Sequence, residues 1–211
     1  MAHENAFRAA PSLAPEHDWA AASKLIRPAL RPSGTAGSDG RDLRLPTGSN
    51  PARPIVAAGP AGLPIVYVIP GAGFDVVVGV EQVHASAMSN LGLWSDGADW
   101  VDESNGSRRV SWSDAGEGMD AARILLPQVQ ERLISALGPA YRILIGLPER
   151  NLLIAASLTE DDAEFAAMFA AFVADRARTA DDPVDGRIFE LTDGQLVEYR
   201  ADPPIAAGEG R

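Results

Sequence analysis

The sequence predicts an α+β fold, a mainly antiparallel sheet built from hairpins with helices packed on it. Three observations predict it. Apolar runs come in pairs around turn residues, as at 141–147 with 152–158 and at 188–191 with 196–200. Segments with apolar residues at helical spacing follow these pairs. Single strands do not alternate with helices, as a parallel sheet would require.

Taken in order, residues 18–23 predict a short helical turn. Residues 25–30 predict an edge strand, because Pro28 removes a ladder donor. Residues 33–51 are rich in glycine, serine, threonine and proline, and read as a flexible loop that buries too little to offset its ordering entropy. Residues 65–69 predict a strand, 70–73 a turn and 74–80 a second, β-branched strand. A helix follows over 81–93, with Val83, Ala87 and Leu91 on one stripe. Val110 and Trp112 alternate with polar neighbours, which predicts a strand from about 108. The helix predicted over 120–137 must kink or restart at Pro127. The hairpin of 141–158 turns around Pro148-Glu149-Arg150-Asn151 and leads into a helix over 160–178. Thr159 is its expected N-cap, and Phe165, Met168, Phe169, Phe172 and Val173 form its expected buried stripe. Asp193-Gly194 closes the last hairpin. A β-β-α pattern thus recurs at 67–91 and 145–169. The expected organisation is an N-terminal segment over 1–53, one α+β domain over 54–200 and a disordered tail over 201–211.

Composition narrows function. The net charge is −11 and the basic residues are scattered, which argues against nucleic acid and anionic membranes as partners. One lysine, Lys24, stands beside seventeen arginines without forming a cluster. No apolar run approaches a membrane span, and residues 1–5 do not resemble a secretory signal. The absence of cysteine removes disulfides and thiolate chemistry and fits a cytoplasmic protein.

The motifs that suggest chemistry each fall short. Gly71-Ala72-Gly73 lacks the third glycine and the following helix of a dinucleotide site. Glu81 and His84 are a single Glu-x-x-His pair where a di-iron site needs two. Asp181 to Gly186 lacks the ligands of a calcium loop. The expectation is therefore no catalytic residue, no metal and no cofactor. Trp94, Trp100 and Trp112 gather around an acidic stretch, either as semi-buried aromatics or as a binding surface.

Residues 117–125, Glu-Gly-Met-Asp-Ala-Ala-Arg-Ile-Leu, resemble the Gly-x-Asp-Ala-x-Arg-Ile-Leu element of the YtpQ-like bacterial proteins, a family of unknown function. Ser89-Asn90-Leu91 resembles the family's Asn-Leu helix motif. Residues 147–153 resemble its Pro-x-x-Asp-x-Leu hairpin, and Asp193-Gly194-x-Leu196 its closing turn. The likeness spans about 25–200. This chain departs from the pattern at Asn151, where the family usually has aspartate, and in a shorter N-terminal region. The resemblance implies a fold unit and nominates Asn90, Asp120 and Arg123, either as a polar ligand cluster or as capping with an i, i+3 ion pair worth about a few tenths of a kcal/mol. On the capping account Asp120→Asn costs less than about 1 kcal/mol.

Two functions compete. One is a non-catalytic module that binds another protein, as a regulator, adaptor or immunity-type antagonist. The other is a small carboxylate-dependent hydrolase or transferase, which needs at least two of Glu81, Asp114, Glu117 and Asp120 in one pocket.

Overall fold

The computed structural model describes residues 19–33, 44–47, 50–54, 56–68, 79–138, 141–159 and 162–200. Helix α1 (Trp19–Ala22) is followed by strand β1 (Arg27–Leu30). Strands β2 (Arg44–Thr47) and β3 (Asn50–Pro54) pair as a hairpin, so the expected loop over 33–51 contains regular structure. Composition speaks to side-chain burial, whereas backbone pairing draws on carbonyls that every residue carries and N–H groups that every residue but proline carries. Strands β4 (Val56–Ala58) and β5 (Pro64–Val68) complete a three-stranded antiparallel sheet in the order β1-β5-β4. β1 lies at its edge with Pro28 opposite Tyr67, the position a proline tolerates.

The expected turn at 70–73 and nearly all of the expected strand at 74–80 lie outside the described residues. So does the second strand of the first β-β-α copy. Val80, its last residue, instead begins helix α2 (Val80–Gly97). That helix outruns the expected end at 93 because its buried stripe continues from Val83, Ala87 and Leu91 to Ser95. A serine at the next stripe position hides the helix from an apolar-periodicity reading. Asn90 accordingly sits inside α2 and does not close it.

Strands β6 (Val101–Asn105) and β7 (Arg108–Ser113) form a hairpin around Gly106, at φ 63. β6 is an unexpected strand of acids and small polar residues, fully exposed at a sheet edge where charge discourages further pairing. A 3₁₀ helix (Ala121–Leu125) precedes helix α3 (Pro127–Leu137), so the break falls at Pro127, whose missing N–H suits the first helical turn. Then come strands β8 (Arg142–Glu149) and β9 (Leu152–Leu158), helix α4 (Ala163–Thr179) and strands β10 (Ile188–Thr192) and β11 (Gln195–Glu198). Pro148 lies within β8, where the register with β9 shifts between Gly146 and Glu149. Asp193 and Gly194 both have positive φ, as the last hairpin's turn demands.

β6 to β11 form one six-stranded antiparallel sheet in the order β11-β10-β8-β9-β7-β6. The chain is thus α+β. The inner face of this sheet carries Ile143, Ile145, Leu147, Leu153, Ala155, Phe189 and Leu191. These pack in one core with α2, α3 and the Ile65 and Tyr67 side of the small sheet. Ala22, Ile26 and Leu30 belong to that same core, so part of the N-terminal segment is built into the domain.

The outer face packs under α4. The N-cap of α4 is Asp162, whose carboxylate accepts from the Phe165 N–H at 3.2 Å; Thr159 does not serve. Arg108 grips the same carboxylate through Nε and Nη2 and holds it below the usual carboxylate range. Phe165, Ala166, Phe169 and Val173 are buried, but Met168 and Phe172 are 56% and 47% exposed. The Phe165, Phe169, Val173 line, with Ala166 beside it, faces the sheet, and Met168 and Phe172 fall on the opposite, solvent flank of that line.

Candidate functional site

Among the described residues, three buried polar side chains, Ser95, Ser113 and Asp120, converge on a fourth, Arg123. The 3₁₀ helix places it against the C-terminal end of α2 and the inner side of β7, where it is 1% exposed. Its Nε donates to Ser95 Oγ at 2.9 Å and its Nη2 to the Ser95 carbonyl at 3.0 Å. Longer bonds of 3.4 Å run to the carbonyls of Ala98 and Asp99. A helix C-terminus leaves its last carbonyls without intrahelical donors and favours a cation beside them. Arg123 meets both requirements from another element.

Nη1, which also makes the bond to Asp99, donates to Ser113 Oγ, and that hydroxyl donates in turn to Asp120 Oδ1. Asp120 Oδ2 accepts from the Ala115 N–H at 3.1 Å. Asp120 is fully buried, and burial pushes its carboxyl above the usual value despite the Ser113 hydroxyl, the Ala115 N–H and the charge of Arg123. Burial likewise lowers Arg123 to about 10, with Asp120 opposing the shift. The two charges are therefore coupled through a serine hydroxyl. This corrects the capping account: the Asp120 carboxylate caps no helix, and no direct ion pair joins the two residues.

Asn90 does not join them. Its Nδ2 donates at 2.8 Å to the carbonyls of both Ser23 and Ile26, and so ties α2 to the chain between α1 and β1. Asn151 does meet the segment around Asp120, since its Oδ1 accepts from the Gly118 N–H at 2.6 Å while the Arg150 carbonyl accepts from the Ala121 N–H. The side-chain carbonyl that Asn151 shares with aspartate is the atom used here.

The tryptophans divide. Trp100 lies between two guanidiniums, with Arg123 4.1 Å and Arg132 4.2 Å from its ring centre. Trp94 borders Arg123 at 5.7 Å and donates from Nε1 to Glu117 Oε2 at 3.1 Å. Trp112 points to the other face of the sheet. The strand expected from about 108 is present, and in it Ser111 and Ser113 are buried while Val110 and Trp112 are half-buried on the outer face. Alternation fixes which residues share a face, but not which face is core. The inner positions hold serines because two arginine side chains, Arg123 and Arg132, must be satisfied there.

Trp94 and Trp112 nevertheless line one cleft of about 480 Å³, together with Asp99, Val101, Asp114 and Glu117. Asp114 and Glu117 are the only pair of the four candidate catalytic acids that share it; Asp120 is sealed inside and Glu81 is at the far end of α2. Glu117 is also engaged by Arg27 Nη1 at 3.4 Å. His84 Nδ1 is hydrogen-bonded to the Tyr67 hydroxyl at 2.7 Å. Among the described residues, no three His, Asp or Glu side chains are placed to hold a metal, and no helix is long and apolar enough to cross a membrane.

Sequence reasoning missed Ser95 and Ser113, the partners of Arg123. Ser95 stands four residues after Leu91 on the buried stripe, and that spacing is the signal that could have found it. Fold and site together define an α+β protein with a buried arginine–serine–aspartate staple beside an open aromatic cleft. No protein-family model, curated protein or solved structure matches the chain.

Proposed function

We propose that this chain is a non-catalytic protein-binding module of the YtpQ-like family, cytoplasmic, acting as a regulator, adaptor or immunity-type antagonist. The observation that carries the reading is a contrast in how the polar and aromatic groups are used. Arg123, Ser95, Ser113 and Asp120 are engaged with one another and with the end of α2, whereas on the outer face Trp112 is only half-buried and Val101 and Phe172 are exposed. Aromatic side chains exposed beside a cleft are what interfaces concentrate and what folding alone would bury. Family membership is supported by the meeting of two of the resembling elements, 117–125 and 147–153, through Gly118, Ala121, Arg150 and Asn151.

The test is site-specific photo-crosslinking in the native host with benzoylphenylalanine at position 101. A discrete protein adduct that is absent with the probe at exposed Asp175 is the expected result. Equal, diffuse labelling from both positions counts against a binding surface here.

The catalytic alternative retains one favourable observation, Asp114 and Glu117 in the same cleft. It requires turnover of an ester, amide or glycoside by the wild type that Asp114→Asn abolishes.

A further inference from the structure

Resting on the protein-binding reading, we infer that the docking site is the part of the outer sheet face that α4 leaves open at its β6–β7 end. Its occupant is a partner segment that presents a bulky apolar side chain flanked by arginine or lysine. α4 packs mainly on β8 and β9, where Phe169 and Val173 cover Leu144 and Ile154, and β6 has no helix over it. Between α4 and the β6–β7 hairpin runs a groove of about 380 Å³, floored by Val110, Trp112, Leu152 and Ile154 and walled by Phe172 of α4. That size is within the roughly 300–1,000 Å³ of ordinary binding pockets. Trp112 and Asp114 line both this groove and the Trp94 cleft, so the two form one continuous strip, apolar in the groove and mixed in the cleft, that passes Val101, itself 44% exposed.

The rim decides the occupant. Asp99, Glu103, Asp114 and Glu117 border the strip, and its one lining cation, Arg176, is already bound to Glu149 Oε1 at 2.6 Å. Glu117 is itself paired with Arg27, but a second copy would set Asp99, Glu103 and Asp114 against their counterparts, and an anionic segment would be repelled by these three. A cationic one gains Coulomb attraction at the rim and a guanidinium or ammonium contact with the Trp112 face, while its apolar side chain fills the groove.

The probes are three synthetic peptides: an amphipathic leucine–arginine peptide, its leucine–glutamate counterpart and an arginine–serine control. Binding is read by calorimetry and by backbone and indole NMR shifts. Only the leucine–arginine peptide is expected to bind, with shifts confined to Val101, Val110, Trp112, Leu152, Ile154 and Phe172. Phe172→Ser should weaken it about tenfold, and Glu103→Lys with Asp114→Lys should both weaken it and flatten its salt dependence. Equal binding of the arginine–serine peptide, shifts spread over the acidic surface, or unchanged affinity in Phe172→Ser overturns the proposal. A concentration-dependent dimer that Phe172→Ser abolishes would replace the partner by a second copy and also overturns it. A protein adduct at position 101 with no binding of the leucine–arginine peptide leaves the protein-binding reading standing and removes only this occupant.

Discussion

The two faces of the six-stranded sheet solve opposite problems. The inner face is roofed from β10 to β7, by α2, α3 and the small sheet, and at β7 it accepts a buried polar staple in place of apolar packing. The outer face is roofed over β8 and β9 by one helix, and its β6–β7 end stays open with apolar residues showing. The difference teaches that burial and hydrophobicity are separable along a single strand. In β7 the serines are inside and the tryptophan is half outside. Inner-face substitutions should therefore report on stability, and substitutions at the open end of the outer face on binding.

The largest effect is expected on the inner side. Arg123→Ala strips the α2 carbonyls of their donors and leaves Asp120 buried without its countercharge, which costs about 3–5 kcal/mol. Denaturant unfolding checks it. Adding Asp120→Asn to Arg123→Met should recover part of the loss, because the uncompensated charge is then gone. A double variant less stable than Arg123→Met alone would show that the two residues are not coupled. Arg123→Lys should also destabilise, since one ammonium cannot reproduce contacts with Ser95, Ala98 and Ser113.

On the roofed part of the outer face, Phe169→Ala should cost a similar, slightly smaller amount, about 3–4 kcal/mol, read as a lower melting temperature. Gly146→Ala tests the same contact from the sheet side. A Cβ there would lie 2.5 Å from Val173 Cγ2, so α4 must shift at about 1–3 kcal/mol. An unchanged melting temperature in both would show that α4 is not seated on β8.

Asp120→Asn should cost about 1–3 kcal/mol, more than capping would imply. An asparagine amide presents a donor either to the Ala115 N–H or to the Ser113 hydroxyl, both of which need an acceptor. The sign of the pH dependence follows from burial. Asp120 holds its proton more tightly folded than unfolded, so its contribution is present below the ordinary value of 3.8 and is lost as the pH rises through the raised folded value. The advantage of wild type over Asp120→Asn should therefore shrink from acid towards neutral pH in paired denaturation curves. An advantage that grows with pH would mean the carboxylate is stabilised by its partners more than burial opposes it.

What the sequence discloses follows from what leaves a local trace. Helix α4, the 141–158 hairpin, the break at Pro127 and the Asp193-Gly194 turn rest on spacing, ring geometry or backbone sign, and each stands where expected. β6 left no trace because an exposed edge strand is built from residues that strands usually avoid. In the candidate site, Asp120 and Arg123 were nominated only by the resemblance over 117–125, and Ser95 and Ser113 were not nominated, since they meet Arg123 across 28 and 10 residues. Asn90 was drawn to the wrong group for the same reason: its partners are backbone carbonyls of Ser23 and Ile26, which no side-chain pattern marks.

The smallest stability effect is expected at Phe172, and it sharpens the contrast best. Phe169 and Phe172 are three residues apart on one helix with the same side chain, yet one is 5% and the other 47% exposed. Removing the exposed ring gives up little burial and makes no cavity, so Phe172→Ser should change stability by no more than about 0.5 kcal/mol. Serine's weaker helix propensity contributes part of even that. The ring lies on the solvent flank of α4, where it forms one wall of the open groove. A natural sequence that merely needed a helix there could carry glutamate or lysine at lower risk of association, because exposed apolar groups beside an uncovered sheet face favour unwanted contacts. Equal melting temperatures for wild type and Phe172→Ser, with Phe169→Ala well below both, would place the boundary between core and surface between these two phenylalanines. A large loss in Phe172→Ser would instead mean that the groove is closed in solution and the outer face has no open end.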